Sequence, residues 1–255
     1  MGARLRQFAK SWIVALIGSD VRPRLIIRGL ASGYRISVSP RENLSYLLGT
    51  AEPHLQRIIR QYVSAGDTVY DIGAYLGYVS LSLAKQVGPA GRVMAFEPIP
   101  RNLERMRQTI AVNELTTIKL LDVAASDSCG EANIRITDNL STPSLVWHRN
   151  DSSSTELNIK TVAIDSLVHA REIDPPKFVK IDVEGAEGLV LLGMRETIAS
   201  SKPVVLLECS DLGRDTSWKL LHDAGYRCES AITRQSISRF DQYRHSDFLW
   251  LPHGV

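Results

Sequence analysis

From Thr68 onward, short apolar runs alternate with stretches whose apolar positions recur at helical spacing. TVYDIG, RVMAFE, IKLLDVAA, KFVKID and VVLLEC are nearly continuous in apolar residues, the pattern of strands covered on both faces. Helices are predicted between them from about Gly77 to Val87, Pro100 to Asn113, Ala186 to Ser200 and Thr216 to Ala224. A strand from about Tyr226 and another over DFLWLP close the chain. This rhythm predicts a doubly wound, mostly parallel α/β sheet. ANIRIT and LNIKTVAI predict two further strands flanking Thr137 to Glu156, a long polar connection of the kind that more often carries function than not. DPPK, from Asp174 to Lys177, reads as a turn.

Ahead of that rhythm, Leu5, Phe8, Trp12 and Leu16 repeat at helical spacing beside Arg4, Arg6 and Lys10. LIIRGLASGYRISVS then reads as a hairpin, and Pro53 to Val63 as a helix leading into the main domain. Residues 1–65 thus form an N-terminal extension, and residues 66–255 the domain proper. At 255 residues, 44% apolar and 23% charged, the chain suits one large α/β domain and excludes disordered or fibrous classes. A net charge of +2 speaks against a nucleic-acid partner. The balance is uneven: residues 1–60 carry ten Lys and Arg against three Asp and Glu, a formal +7 that leaves −5 behind it. Beside Trp12 and Phe8, that charge suggests a weak membrane-surface contact through residues 1–20. Ser11 to Ser19 is too short to cross a bilayer, and no A-x-A cleavage pattern follows it. Three cysteines without a CxxC pair indicate neither disulfides nor a zinc site, which fits a reducing, cytoplasmic compartment.

Candidate chemistry starts at VYDIGAYLGYVSLSLA, where a strand ends in Asp71 and passes through Gly73 and Gly77 into a helix. Such a turn lets a ligand approach backbone N–H groups. A dinucleotide site wants G-x-G-x-x-G, whereas Tyr75 stands where the second glycine would admit the phosphates. An adenosyl ligand without a pyrophosphate fits better, with Asp71 available to a positively charged amine. Further on, FEP ends the next strand, and Glu97 can accept both hydroxyls of a ribose.

DIGAYLGYVSLSLA, AFEPIPRNLERMRQTIAVNEL and FVKIDVEGAE, in that order, resemble the FkbM-type methyltransferases, a branch of the class I S-adenosylmethionine-dependent enzymes. The resemblance covers roughly Gly49 to Glu208, and Tyr75 departs from the family's usual Asn. It implies a Rossmann-like, seven-stranded sheet whose last strand, DFLWLP, is antiparallel. It also implies that S-adenosyl-L-methionine is bound by Asp71, Gly73, Ala74, Tyr75, Gly77, Pro98, Asn102 and Asp182, with Glu97 at the ribose. Asp122, Val123 and Ala124 would meet the adenine, and Glu52 matches an acidic position upstream. The implied reaction is O-methylation of a small molecule, a sugar or glycan, or a polyketide-type product. Asp182, beside the methyl group, is the first candidate for general base and Glu184 the second. Asp182 and Glu208 could jointly hold Mg²⁺. His148, in the polar connection, is a further base candidate, though such a residue is more often a solvated loop histidine. Two alternatives stay open: a nicotinamide-dependent oxidoreductase and a non-catalytic adenosylmethionine-binding module. Oligomeric state is not legible.

Overall fold

The computed structural model describes residues 18–137, 154–209, 213–242 and 247–254. The helix predicted over Leu5 to Leu16 and His148 lie outside the described residues. A hairpin of β1 (Arg22–Leu25) and β2 (Arg35–Val38) leads into helices α1 (Pro40–Leu48) and α2 (Pro53–Tyr62). Next come β3 (Thr68–Ile72), α3 (Tyr78–Val87), β4 (Arg92–Phe96), α4 (Pro100–Val112) and β5 (Ile118–Leu121). The middle of the chain holds β6 (Ala124–Ala125), β7 (Gly130–Thr137), β8 (Ser154–Val162), α5 (Ile164–His169) and β9 (Phe178–Ile181). It ends with α6 (Glu187–Leu192), α7 (Arg195–Ser201), β10 (Val204–Glu208), α8 (Arg214–Asp223), β11 (Tyr226–Ser230), β12 (Ser236–Ile237) and β13 (Asp247–Pro252).

The main sheet has the order β5-β4-β3-β9-β10-β13-β11-β12. The strands from β5 to β10 pair in parallel, and β13 runs antiparallel between β10 and β11. The seven expected strands are therefore present with DFLWLP reversed. An eighth, the two-residue β12, extends the edge beside β11. The chain continues from β3 outward to β4 and β5, then returns to β9 on the other side of β3. That reversal leaves a crevice at the carboxyl ends of β3 and β9, where open α/β sheets bind ligands.

Several predicted elements differ. IKLLDVAA divides at Asp122: β5 ends at Leu121, and Ala124–Ala125 pairs with β8 in a separate three-stranded sheet with β7. The helix expected from Ala186 to Ser200 is two helices, α6 and α7. Between them the chain passes so close to Ser126 that a Cβ on Gly193 would fall 1.8 Å from the Ser126 carbonyl oxygen. Helices α1 and α5 were not anticipated. The first begins with Pro40 and bends at Asn43. The second is tied to α7, because the Asp165 carboxylate accepts from the Thr197 N–H (2.8 Å) and hydroxyl (2.7 Å). Pairing in the hairpin starts at Arg22, upstream of the predicted Leu25.

Alternation along the buried strands fills both faces of the sheet. Val69, Ala95, Phe178 and Leu206 face one core together with Ile36, Leu55, Ile58 and Ile59 of the extension and Leu81 of α3. Tyr70, Phe96, Val179, Ile181 and Trp250 face the other, against α6 to α8. The same alternation puts Asp71 and Lys180 on the first face. They are direct neighbours in the parallel ladder of β3 and β9.

Candidate active site

A cavity of about 270 Å³ opens at the crevice between β3 and β9. Its floor is the turn after β3. Gly73 has φ of 79°, and a Cβ there would stand 1.8 Å from the Asp182 carbonyl oxygen. The turn and the end of β9 therefore touch backbone to backbone, which only glycine permits at this φ.

Toward β4, the cavity wall holds Glu97, 3% exposed. Its carboxylate accepts from the Tyr75 N–H (2.8 Å), the Ile99 N–H (2.8 Å) and the Asn102 amide (3.2 Å). Burial pushes its pKa up to about 7 against the opposing pull of those hydrogen bonds. Phe96, Ile99, Val123 and Ala124 give the adjoining wall an apolar lining. Ala74, Tyr75, Pro98 and Asn102 line the same half.

Toward β10, the wall carries Glu52, Asp182, Glu184 and Glu208, with Tyr46 and Lys180. Burial raises the Glu52 carboxyl, and Asp182 adds to it against the pull of Lys180. Burial and then Asp182 raise Glu184. Glu208 keeps solvent access at the rim, yet partial burial, followed by Asp182 and Asp247, pushes it up to about 8. Tyr46 stacks on Tyr78 with ring centroids 4.5 Å apart. The Tyr78 hydroxyl accepts from Gln56 (3.1 Å), whose amide also donates to the Ala51 carbonyl (2.8 Å), so the extension and α3 are fastened together behind this wall.

Three residues expected around the ligand stand elsewhere. Asp71 is wholly buried behind the wall, where its carboxylate accepts from Ser80 (2.5 Å) and lies 3.7 Å from the Lys180 ammonium. Gly77 opens α3 with its Cα toward Met106. Asp122 points to solvent and pairs with Arg107 at 3.3 Å. The Mg²⁺ site suggested for Asp182 and Glu208 is not supported. Among the described residues no group of three or more His, Cys, Asp or Glu is placed to hold a metal ion, and Asp182 is paired with Lys180 at 3.1 Å.

Sequence reasoning missed Lys180 and Tyr46. The signal for Lys180 was a charged residue inside an apolar strand, two positions before Asp182. Nothing in the sequence marked Tyr46, whose place depends on how α1 packs. Glu52, Tyr75 and Glu184, all on the wall, have positive φ of 45°, 51° and 52°. Such backbone in non-glycine residues is concentrated at functional sites.

A doubly wound sheet with a crevice at its switch point is shared by several nucleotide-binding enzyme classes; the class is fixed by the family, and the chain belongs to that of the methyltransferase FkbM domain, whose profile matches residues 71–228. It is 28% identical over 227 residues to the hexuronic acid methyltransferase AglP of Haloferax volcanii, with 87% of each protein covered. Among solved structures, it is similar to methyltransferase FkbM from Methylobacillus flagellatus KT, with a TM-score of 0.46 and 17% identity. That likeness takes in 96% of this chain and spans 59% of the other. A precorrin-6y C5,15-methyltransferase from Geobacter metallireducens GS-15 gives a TM-score of 0.46 at 14% identity, over 78% of this chain and 85% of that one. The family match sets aside the nicotinamide-dependent alternative. Among the described residues no helix is long and apolar enough to cross a membrane.

Proposed function

We propose that the protein transfers a methyl group from S-adenosyl-L-methionine to a hydroxyl of a sugar or glycan. The observation that carries this reading is one continuous cavity with a fixed carboxylate, Glu97, at one end and Asp182 at the other, joined through the Gly73 turn. Glu97 is oriented by three donors, two on Oε1 and one on Oε2, which leaves one acceptor site on Oε2 for a ribose hydroxyl. Phe96, Ile99, Val123 and Ala124 suit the flat apolar face of an adenine. When bound, S-adenosyl-L-methionine supplies an electrophilic methyl on a sulfonium. The residues of this chain then hold the acceptor in line and remove its proton. Asp182 accepts the proton of the acceptor hydroxyl, and Glu184 is the second candidate for that role. Alignment alone can supply about 7 to 11 kcal/mol of the barrier.

A sugar acceptor is supported by AglP, whose name specifies a hexuronic acid. Residues 18–65 of the extension share a core with α3, and Tyr46 and Glu52 from them line the end assigned to the acceptor. Cytoplasmic action, with a weak membrane-surface contact through residues 1–20, completes the proposal. The test is transfer of labelled methyl from S-adenosyl-L-methionine across a panel of neutral sugars, hexuronic acids and their glycosides, with products resolved into ethers and esters. Ether formation lost in Asp182→Asn is expected. Ester products alone, or transfer unaffected by Asp182→Asn, would overturn it.

A further inference from the structure

The β9 strand is buried from Phe178 to Ile181, and a lysine there gives up its hydration. Lys180 is 5% exposed and spends its ammonium on three different segments. Nζ donates to the Gly73 carbonyl at 3.1 Å and stands 3.1 Å from Asp182 Oδ2 and 3.7 Å from Asp71 Oδ1. Two acceptors, the Gly73 carbonyl and Asp182, lie at hydrogen-bond distance of the ammonium, while Asp71 is held as an ion pair at longer range. Asp71 is in turn anchored to α3 through Ser80. A chain of contacts therefore runs from α3 through Asp71 and Lys180 to Asp182, with the Gly73 turn fastened at its middle. A lysine needed only to neutralise Asp71 would have no reason to reach the other two. Burial works against its charge, but Asp182, Asp71 and Glu52 outweigh that and hold its pKa well above the usual lysine value, so it is not the base itself.

We infer that Lys180 is a positioning residue: it locks the Asp182 carboxylate to the Gly73 turn and so fixes the deprotonation point of the acceptor hydroxyl against the methyl donor. This rests on the proposed role of Asp182, and the test separates the two. Turnover, acceptor KM and affinity for S-adenosylhomocysteine are measured for Lys180→Met, Asp182→Asn and the variant carrying both. If Lys180 acts through Asp182, each single change lowers kcat by about 100-fold with acceptor KM little altered. The pair then costs no more than about threefold beyond the worse single change. Multiplying losses, or a Lys180→Met enzyme within about threefold of the parent kcat, would overturn the inference. A slow Asp182→Asn enzyme with multiplying losses refutes only the coupling, whereas a fast one refutes the base as well.

Lys180→Met alone leaves Asp71 buried and uncompensated, so it can fail to fold for that reason. Asp71→Asn combined with Lys180→Met removes both charges of the buried pair. The inference expects this variant to keep a near-native melting temperature with kcat still about 100-fold down. Recovered turnover would reduce Lys180 to a counterion for Asp71, and failure of this variant to fold would make it a structural residue. Either result overturns the inference.

Discussion

The two ends of the cavity treat their carboxylates differently. At the β4 end one acid, Glu97, accepts three hydrogen bonds from groups fixed by the local turn and by α4. At the β10 end Glu52, Asp182, Glu184 and Glu208 share one cation on the wall, Lys180, and among the described residues Glu52, Glu184 and Glu208 accept no side-chain hydrogen bond. Preorganised donors suit a ligand that is the same in every turnover. Crowded, under-compensated acids suit an end completed by the incoming substrate, whose hydroxyls supply the missing donors. On the proposed assignment of the two ends, reuse of the cofactor and recognition of the acceptor call for opposite electrostatics within one cavity.

The harshest way to break that contrast is Gly73→Ala, which strikes both ends through their common floor. A Cβ overlapping the Asp182 carbonyl at a positive φ should destabilise the protein by about 3 kcal/mol or more. Thermal unfolding and calorimetry should show a lower melting temperature together with loss of S-adenosylhomocysteine binding. A variant that binds normally would mean the two loops move independently.

Glu97→Gln should touch one end alone. Affinity for S-adenosylhomocysteine is expected to fall at least about tenfold, or about 1.4 kcal/mol, with acceptor KM unchanged. Because the folded carboxyl titrates near 7, affinity in the parent should weaken as pH falls through that value, where protonation removes an acceptor for a ribose hydroxyl. The Gln variant should lose this step, and a step that persists would assign it to another group.

At the opposite end, Glu208→Gln should stabilise the free protein as pH rises. The folded carboxyl holds its proton up to about 8, well above the ordinary value of 4.5. Between those values the folded state binds more protons than the unfolded chain, so this group's contribution to stability falls with rising pH. Denaturant unfolding from pH 5 to 8 should be flatter in the variant than in the parent. Equal slopes would place the charge strain elsewhere.

The smallest effect is expected from Tyr75→Asn. Tyr75 has φ of 51°, a conformation that asparagine tolerates better, so the change should raise stability by about 0.5 to 1 kcal/mol. Its N–H to Glu97 is a backbone group and survives the substitution. Cofactor affinity should therefore stay close to the parent value, and a large loss would give the phenol ring a role of its own.

That Gly73, Ala74, Tyr75, Glu97 and Asn102 line one cavity was legible because they lie within 30 residues, on two strand ends whose periodicity is plain. The succession of parallel strands followed from the same periodicity, while the reversal of DFLWLP was implied by the family resemblance. The remainder depends on contacts between distant segments. Asp71 reads as a ligand residue in its motif, and only the register of β3 against β9 shows that it faces Lys180 behind the wall. The split between α6 and α7 reflects the approach of Ser126 to Gly193, 67 positions apart in the chain and invisible in either helix's own pattern. Tyr46 and Glu52 enter the cavity through the packing of the extension, where the strand and helix rhythm says nothing.

Backbone contact between Gly73 and Asp182 also constrains how such an enzyme can diversify. The two segments abut with no side chain between them, so neither can swing away or gain bulk without moving the other. If Asp182 serves the acceptor as proposed, they act as a ruler of fixed length between donor and acceptor chemistry. New acceptors can be accommodated by changing what surrounds the ruler, above all the extension and the rim acids, while the reach over which a methyl group is passed stays the same.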